Sequence, residues 1–313
     1  MKSWLFAFAA VAFSATVHAA QPLLSPAELS PLLQQDQVRV IDIRPPADYQ
    51  AGHIPGAVNA PYGSWRGPAS NPGELPDLPE LTQRIQSLGL TPETHAVVVS
   101  SGANATDFGS AARVYWTLKV LGLDNLSVLN GGMQAWTAAQ LPQNADPVAV
   151  TPSSYQPQID TSLIATRDEV IARTRSGNAT LVDARPSAFF EGETRHTAAT
   201  VPGTLPGAVN LEHDVWFQPG TATFVSPDEA RKIASSSPFS FQQETVSFCN
   251  TGHWAATNWF ALSEVLGQPN VKLYAGSMVD WTQAPEALPM DNVPGRAKQL
   301  MIDAKLWAEN RGK

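Results

Sequence analysis

The chain has little of several things that would narrow its chemistry at once. It has one cysteine in 313 residues, Cys249, so no intramolecular disulfide can form and no thiolate metal cluster can be built. Its six histidines are scattered, with no ligand-like spacing, so no metal or cofactor is called for. Charged residues make up 15% of the chain and the net charge is −8, which argues against a nucleic-acid or anionic-membrane partner. After residue 20 no apolar run is long enough to span a bilayer. The sixth residue after Cys249 is Ala255, not arginine. That excludes the cysteine phosphatase and arsenate reductase loop, in which a guanidinium clamps the oxyanion.

The N-terminus carries Lys2, an apolar run from Trp4 to Phe13, and small residues around Val17-His18-Ala19. This is the layout of a cleaved secretory signal over residues 1–20, and it predicts a soluble periplasmic protein. The rest suffices for two domains.

Two diverged copies of one pattern follow. Ser25-Pro26-Ala27-Glu28 and Thr166-Arg167-Asp168-Glu169 read as capping boxes that open a short helix. Each leads to an apolar strand ending in Asp-x-Arg, Asp42-Ile43-Arg44 and Asp183-Ala184-Arg185. Next come Gly52-His53-Ile54-Pro55-Gly56-Ala57-Val58-Asn59 and Gly203-Thr204-Leu205-Pro206-Gly207-Ala208-Val209-Asn210. A second strand then runs into a small-residue loop, at Ala96–Ser100 and Thr245–Cys249, before helices expected over Ser110–Leu121 and Ala255–Leu266. Asn130-Gly131-Gly132-Met133 with Trp136 matches Ala275-Gly276-Ser277-Met278 with Trp281. Short, non-alternating apolar strands between helices predict a parallel α/β sheet in each copy. The first copy spans 21–146 and the second 161–313, joined by a proline-bearing linker over 147–160. Gly63–Pro79 reads as a long surface loop. A helix from Arg296 to Asn310 is expected to pack back through Leu300, Ala304 and Trp307, or to bind a partner.

These paired signatures resemble the two-domain rhodaneses, the thiosulfate and 3-mercaptopyruvate sulfurtransferases, over nearly the whole chain after residue 20. The resemblance implies two tandem rhodanese-like domains, the first inactive and the second with a catalytic cysteine opening a six-residue loop between strand and helix. Cys249 falls on that position and Ser100 on its counterpart. It further implies transfer of a sulfane sulfur from a small donor (thiosulfate, mercaptopyruvate or a persulfide) through a Cys249 persulfide to a thiophilic acceptor, which can be another protein. The loop, Cys249-Asn250-Thr251-Gly252-His253-Trp254, differs from both known types. It has neither the basic residues of the thiosulfate type nor the Gly-Ser-Gly of the mercaptopyruvate type. Phe189 stands near the place of an arginine usual in the family.

The chemistry fits the residue types. A free thiol ionises near pH ~8.5, and backbone amides at a helix start favour its anion. Gly252 permits a tight turn. Asn250 and Thr251 leave the amides accessible and add hydrogen bonds. His253 is a candidate charge or acid beside the sulfur, or a loop histidine bonded to backbone. Trp254 is a candidate pocket wall. Arg185, at the strand edge where ligands of parallel sheets bind, is a candidate for the donor anion. The repeated Asp-x-Arg equally suits a structural pair, which is the reading for Asp42 and Arg44. Arg195 and His196 are candidates for the missing basic group. Without one, thiosulfate is expected to be a weak donor. A sulfane-sulfur carrier or thiol redox sensor remains the non-enzymatic alternative.

Overall fold

A computed structural model describes residues 20–237 and 243–311. The signal segment predicted over 1–20 therefore lies outside the described residues, save Ala20.

Each copy folds around its own parallel sheet. The first comprises β1 (Leu23–Leu24), β2 (Val38–Asp42), β3 (Val58–Asn59), β4 (His95–Val99) and β5 (Leu126–Leu129), in the order β1-β5-β4-β2-β3. The second comprises β6 (Ala179–Asp183), β7 (Val209–Asn210), β8 (Glu244–Phe248) and β9 (Val271–Leu273), in the order β7-β6-β8-β9. The counterpart of β1 has shrunk to a single parallel bridge between Ile164 and Leu273. Both capping boxes form as the sequence predicts, Ser25 with Glu28 and Thr166 with Glu169.

The apolar strands are covered on both faces, as parallel strands require. In β4, Val97 and Val99 join an outer cluster with Leu29 and Trp136, while Ala96 and Val98 face an inner layer. That inner layer is continuous across the two copies. Its centre is a pair of helices, Ala105–Val120 and Trp254–Trp259, which follow the two equivalent loops and pack on each other. Phe108 makes edge contacts with Phe217 and Phe260 at 5.0 and 5.5 Å, and Tyr115 meets Phe260 at 5.1 Å. Fully burying one such ring contributes about 1.5–3 kcal/mol. A seam this apolar fixes the two domains against each other rather than leaving them to hinge.

Several expectations need correction. The first long helix begins at Ala105, not Ser110, because Asn104 caps it by accepting from the Asp107 amide at 3.0 Å. The second is α-helical only to Trp259 and continues as a π turn over Phe260–Val265. Gly63–Pro79 is not merely a surface loop. Gly73 is buried so tightly at the interface that a Cβ there would lie 2.2 Å from the Ala275 carbonyl oxygen.

The segment between the copies adheres to the first one. Ser153 donates its amide to Gln86, and the Tyr155 hydroxyl donates to the Leu121 carbonyl at 2.9 Å. The last helix, Arg296–Arg311, is seated by Ile302 and by an Arg195–Asp303 ion pair. Leu300, Ala304 and Trp307, expected to face inward, are exposed.

Candidate active site

Cys249 is the first residue after β8, at the C-terminal edge of the second sheet, and only 1% of its surface is exposed. Ligands of parallel sheets bind at this edge. The loop it opens is pinned at both ends by one hydroxyl. Ser277 Oγ accepts from the amides of Cys249 and Gly252 at 3.0 and 3.2 Å and donates to the Tyr274 carbonyl at 2.7 Å. Two of the amides expected to face the sulfur are thereby consumed. Those of Asn250, Thr251, His253 and Trp254 have no acceptor among the described residues. Gly252 sits at φ +66°, and a Cβ there would lie 2.5 Å from the Ala275 oxygen and 2.6 Å from an Arg113 nitrogen. Only glycine fits that turn without displacement.

Cys249 opens onto a cavity of roughly 310 Å³ lined by residues of both domains. Its own domain contributes His196, Asn250, Thr251, His253 and Trp254, and the other contributes Arg66, Pro72 and Thr106. Among the described residues no carboxylate lines it.

The predicted site residues divide into two groups. Asn250, Thr251 and Trp254 do line this cavity with Cys249. Trp254 donates its indole N–H to Thr106 Oγ1 at 3.1 Å and stacks on His213 at 4.9 Å. Arg185 is buried and spent elsewhere. It forks onto Asp183, donates to the Gly203 carbonyl at 2.8 Å, and reaches the loop only through a 3.4 Å contact with Asn250 Oδ1. The same fork joins Arg44 to Asp42. Asn59 and Asn210 brace the two strand ends identically, each donating to both flanking carbonyls. Arg185 is thus the structural half of a repeated pair, not a free cation. Phe189 lies between its guanidinium, at 5.8 Å, and Trp254, at 5.9 Å.

His253 does not fill the role of charge or acid. Its Nε2 lies 2.6 Å from the Thr106 carbonyl, which can only accept, so Nε2 carries the proton. Nδ1 lies 2.7 Å from the Tyr62 hydroxyl and accepts from it. Both nitrogens are committed to the other domain. Burial, reinforced by the Arg66 charge, pushes His253 down to about 3, so the ring is neutral at physiological pH. Burial likewise raises Tyr62, which keeps the proton it donates. Of the two basic candidates, Arg195 is turned towards Asp303. His196 does reach the cavity, but burial and the charges of Arg66 and Arg195 hold it below its usual range.

Two cations that the sequence reading passed over stand at the site, and both belong to the first copy. Arg66 lines the cavity with its guanidinium over the Tyr62 ring at 5.3 Å, and its buried Nη1 has no hydrogen-bond partner among the described residues. Arg113 is completely buried beneath the loop. Its Nη2 donates to Gly73 O at 2.8 Å, its Nη1 is 3.4 Å from Gly252 O, and its Nε is unpartnered. Burial, with Arg66 nearby, lowers Arg113 to about 9, still protonated at neutral pH. Neither lies within a loop motif, so no local signal marked them.

The equivalent loop of the first copy has the same backbone plan. Met133 donates to the Ser100 carbonyl as Met278 does to that of Cys249. There, however, the loop amide of Gly102 donates to the chain's own Asp107 carboxylate at 2.6 Å.

Comparison with known proteins agrees with this duplication. The rhodanese-like domain matches twice, at residues 25–139 and 166–284. The chain belongs to the rhodanese family. It is 30% identical over 265 residues to the thiosulfate sulfurtransferase of Azotobacter vinelandii, covering 84% of this chain and 95% of that one. It is 31% identical over 246 residues to a putative thiosulfate sulfurtransferase of Mycolicibacterium smegmatis, covering 75% and 83%. Among solved structures, SseA from Escherichia coli, described for 3-mercaptopyruvate sulfotransferases, superposes with a TM-score of 0.72 at 24% identity, over 82% of this rhodanese and 99% of SseA. The last likeness speaks for the shared fold.

Proposed function

We propose that this rhodanese is a sulfurtransferase whose nucleophile is Cys249. The observation that carries the reading is the placement of the chain's single thiol at the base of a carboxylate-free cavity, on a loop with uncommitted amides. The relatives named above support it. In the first half-reaction Cys249 Sγ, as thiolate, attacks the outer sulfur of the donor. The donor's sulfur–sulfur or sulfur–carbon bond breaks, and the leaving group departs with the electron pair. A Cys249–S–S⁻ persulfide remains, its negative charge facing loop amides rather than carboxylates. In the second, a thiophilic acceptor takes the outer sulfur and the thiolate returns. No residue near Cys249 needs to shuttle a proton when the donor leaves as an anion, which suits a neutral His253.

The first domain is proposed to be non-catalytic and to complete the cavity. Ser100 holds a hydroxyl where Cys249 holds a thiol, and a hydroxyl cannot store a sulfane sulfur. The near-complete burial of Cys249 favours a shielded persulfide over an oxidant sensor, which needs an exposed thiol. The N-terminal sequence supports a periplasmic location, testable by cell fractionation.

The deciding experiment is intact-mass spectrometry after exposure to thiosulfate, mercaptopyruvate and glutathione persulfide in turn, followed by turnover with cyanide. Wild type is expected to gain one sulfur and discharge it, Ser100→Ala to behave like wild type, and Cys249→Ser to gain none. Loading without discharge would favour a carrier.

A further inference from the structure

The cavity at Cys249 has one side chain with a permanent charge in its lining, and that side chain comes from the domain without the cysteine. Arg66 caps the short 3₁₀ turn Tyr62–Trp65, at the start of the irregular segment that wedges between the domains. Its Nη1 is buried and unpartnered, and no carboxylate pairs with it among the described residues. A guanidinium nitrogen cut off from water without an acceptor is costly, and an incoming anion relieves that cost. Every other titratable or charged group around it leaves the positive charge standing. Burial disfavours the protonated form of His196, His213 and His253 alike, so none of them competes as a cation. Arg113, behind the loop, is a second buried cation with no carboxylate partner. The domain that carries Cys249 offers no substitute, because Arg185 is spent on Asp183 and Arg195 on Asp303.

We propose that Arg66 is the specificity-determining residue for the sulfur donor, reaching across the domain seam to take the oxyanion end of a doubly charged donor of the thiosulfate class. It replaces the basic residue that the Cys249 loop lacks. The proposal rests on the reading of Cys249 as the sulfur-accepting nucleophile. In the step it assists, Cys249 S⁻ bonds to the outer sulfur of ⁻S–SO₃⁻ and the bond to the sulfonate sulfur breaks. Sulfite leaves with both electrons, so one negative charge stays on the persulfide and two leave with the product. Arg66 meets the charge that grows on the departing oxygens. Arg113 is a positioning residue that props Gly252 from below. The donor pocket is then a property of both domains together, which gives the first copy a chemical task although it has no thiol.

The test is single-turnover sulfur loading of the full chain by two donors that differ in charge at the same end. Thiosulfate is a dianion, and ethanethiosulfonate is a monoanion that leaves as a sulfinate. In Arg66→Gln the efficiency with thiosulfate is expected to fall about 10- to 100-fold, the scale of one or two lost charge-assisted hydrogen bonds. The loss with ethanethiosulfonate is expected to be several-fold smaller. Arg66→Lys is expected to recover much of the difference, and Arg66→Gln to lose most of the salt dependence of loading. Arg66 is partly exposed, so both variants are expected to fold; matching melting curves check this. An equal loss for both donors, or none, would overturn the assignment while wild-type loading leaves the sulfurtransferase reading intact. If wild type loads no sulfur from either donor, or Cys249→Ser loads as well as wild type, the underlying reading fails and this one with it.

Discussion

The amide of Cys249 and the hydroxyl of Ser277 form a 3.0 Å hydrogen bond, and the same oxygen takes the Gly252 amide three residues further on. Ser277 is one of the few non-glycine residues in the left-handed region, at φ +54°, and the first copy has Gly132 at this place, at φ +55°. A hydroxyl is therefore kept there despite a backbone better suited to glycine. Ser277→Ala strands two buried amides. It is expected to cost about 1–3 kcal/mol of stability and to slow sulfur loading about tenfold, since both ends of the loop are released. Denaturant titration and stopped-flow loading check the two effects separately. Lost stability with unchanged loading would reduce Ser277 to a fold-stabilising role.

Gly252→Ala places a methyl against the Ala275 carbonyl and the Arg113 guanidinium, in a conformation L residues resist. The backbone carbonyl cannot yield as a side-chain tip can. Both stability and loading are expected to fall, by about 1–3 kcal/mol and at least tenfold. A variant with wild-type melting and wild-type loading would show that the turn tolerates a side chain.

The neutral His253 gives a pH signature. Folded, it is held down to about 3, while in the unfolded chain it titrates near the ordinary 6.5. Below about 6.5 the unfolded chain takes up a proton that the folded one refuses. Stability is therefore full above that pH and is lost as pH falls towards 3, by at most about 1.4 kcal/mol per pH unit for this group. His95, His196 and His213 are shifted in the same direction and steepen the loss. His253→Gln is expected to flatten the curve in melting temperature between pH 7 and pH 5. A rise in thiosulfate efficiency across that interval that His253→Gln removes would show that the ring does become a cation during the reaction.

Glu264, in the π turn, accepts from the Tyr115 hydroxyl and from Lys119, both at 2.8 Å, across the seam. Its side chain is nearly buried, so Glu264→Gln leaves a cation poorly paired. A loss of about 1–3 kcal/mol is expected in equilibrium unfolding. No measurable change would mean that the seam is held by its aromatic packing alone.

Much of this was legible in the sequence because the fold is written twice. The capping boxes, the Asp-x-Arg strand ends and the position of Cys249 each had a counterpart that confirmed register. The seam between the copies was not legible, since its determinants are non-local. Arg66 and Gly73 sit in a stretch without periodicity, and Arg113 lies inside a helix whose burial on every side hides its face. Nothing local distinguishes an arginine that lines a cavity with another domain's thiol from one in solvent. The choice between the two readings of His253 could not be made from the sequence for the same reason. Its partners, Tyr62 and Thr106, lie more than a hundred residues away in the chain. The C-terminal helix was legible as a helix but not in its orientation: its most regular apolar stripe is the face it turns outward.

Asp107, which accepts the Gly102 amide in the first copy, implies that the half proposed to be non-catalytic differs from its partner by more than one sulfur atom. Ser100→Cys would put a thiol beside a resident negative charge that already occupies the loop's donor. Such a half behaves as a lock with its key broken off inside it, and reviving it would require removing Asp107 as well.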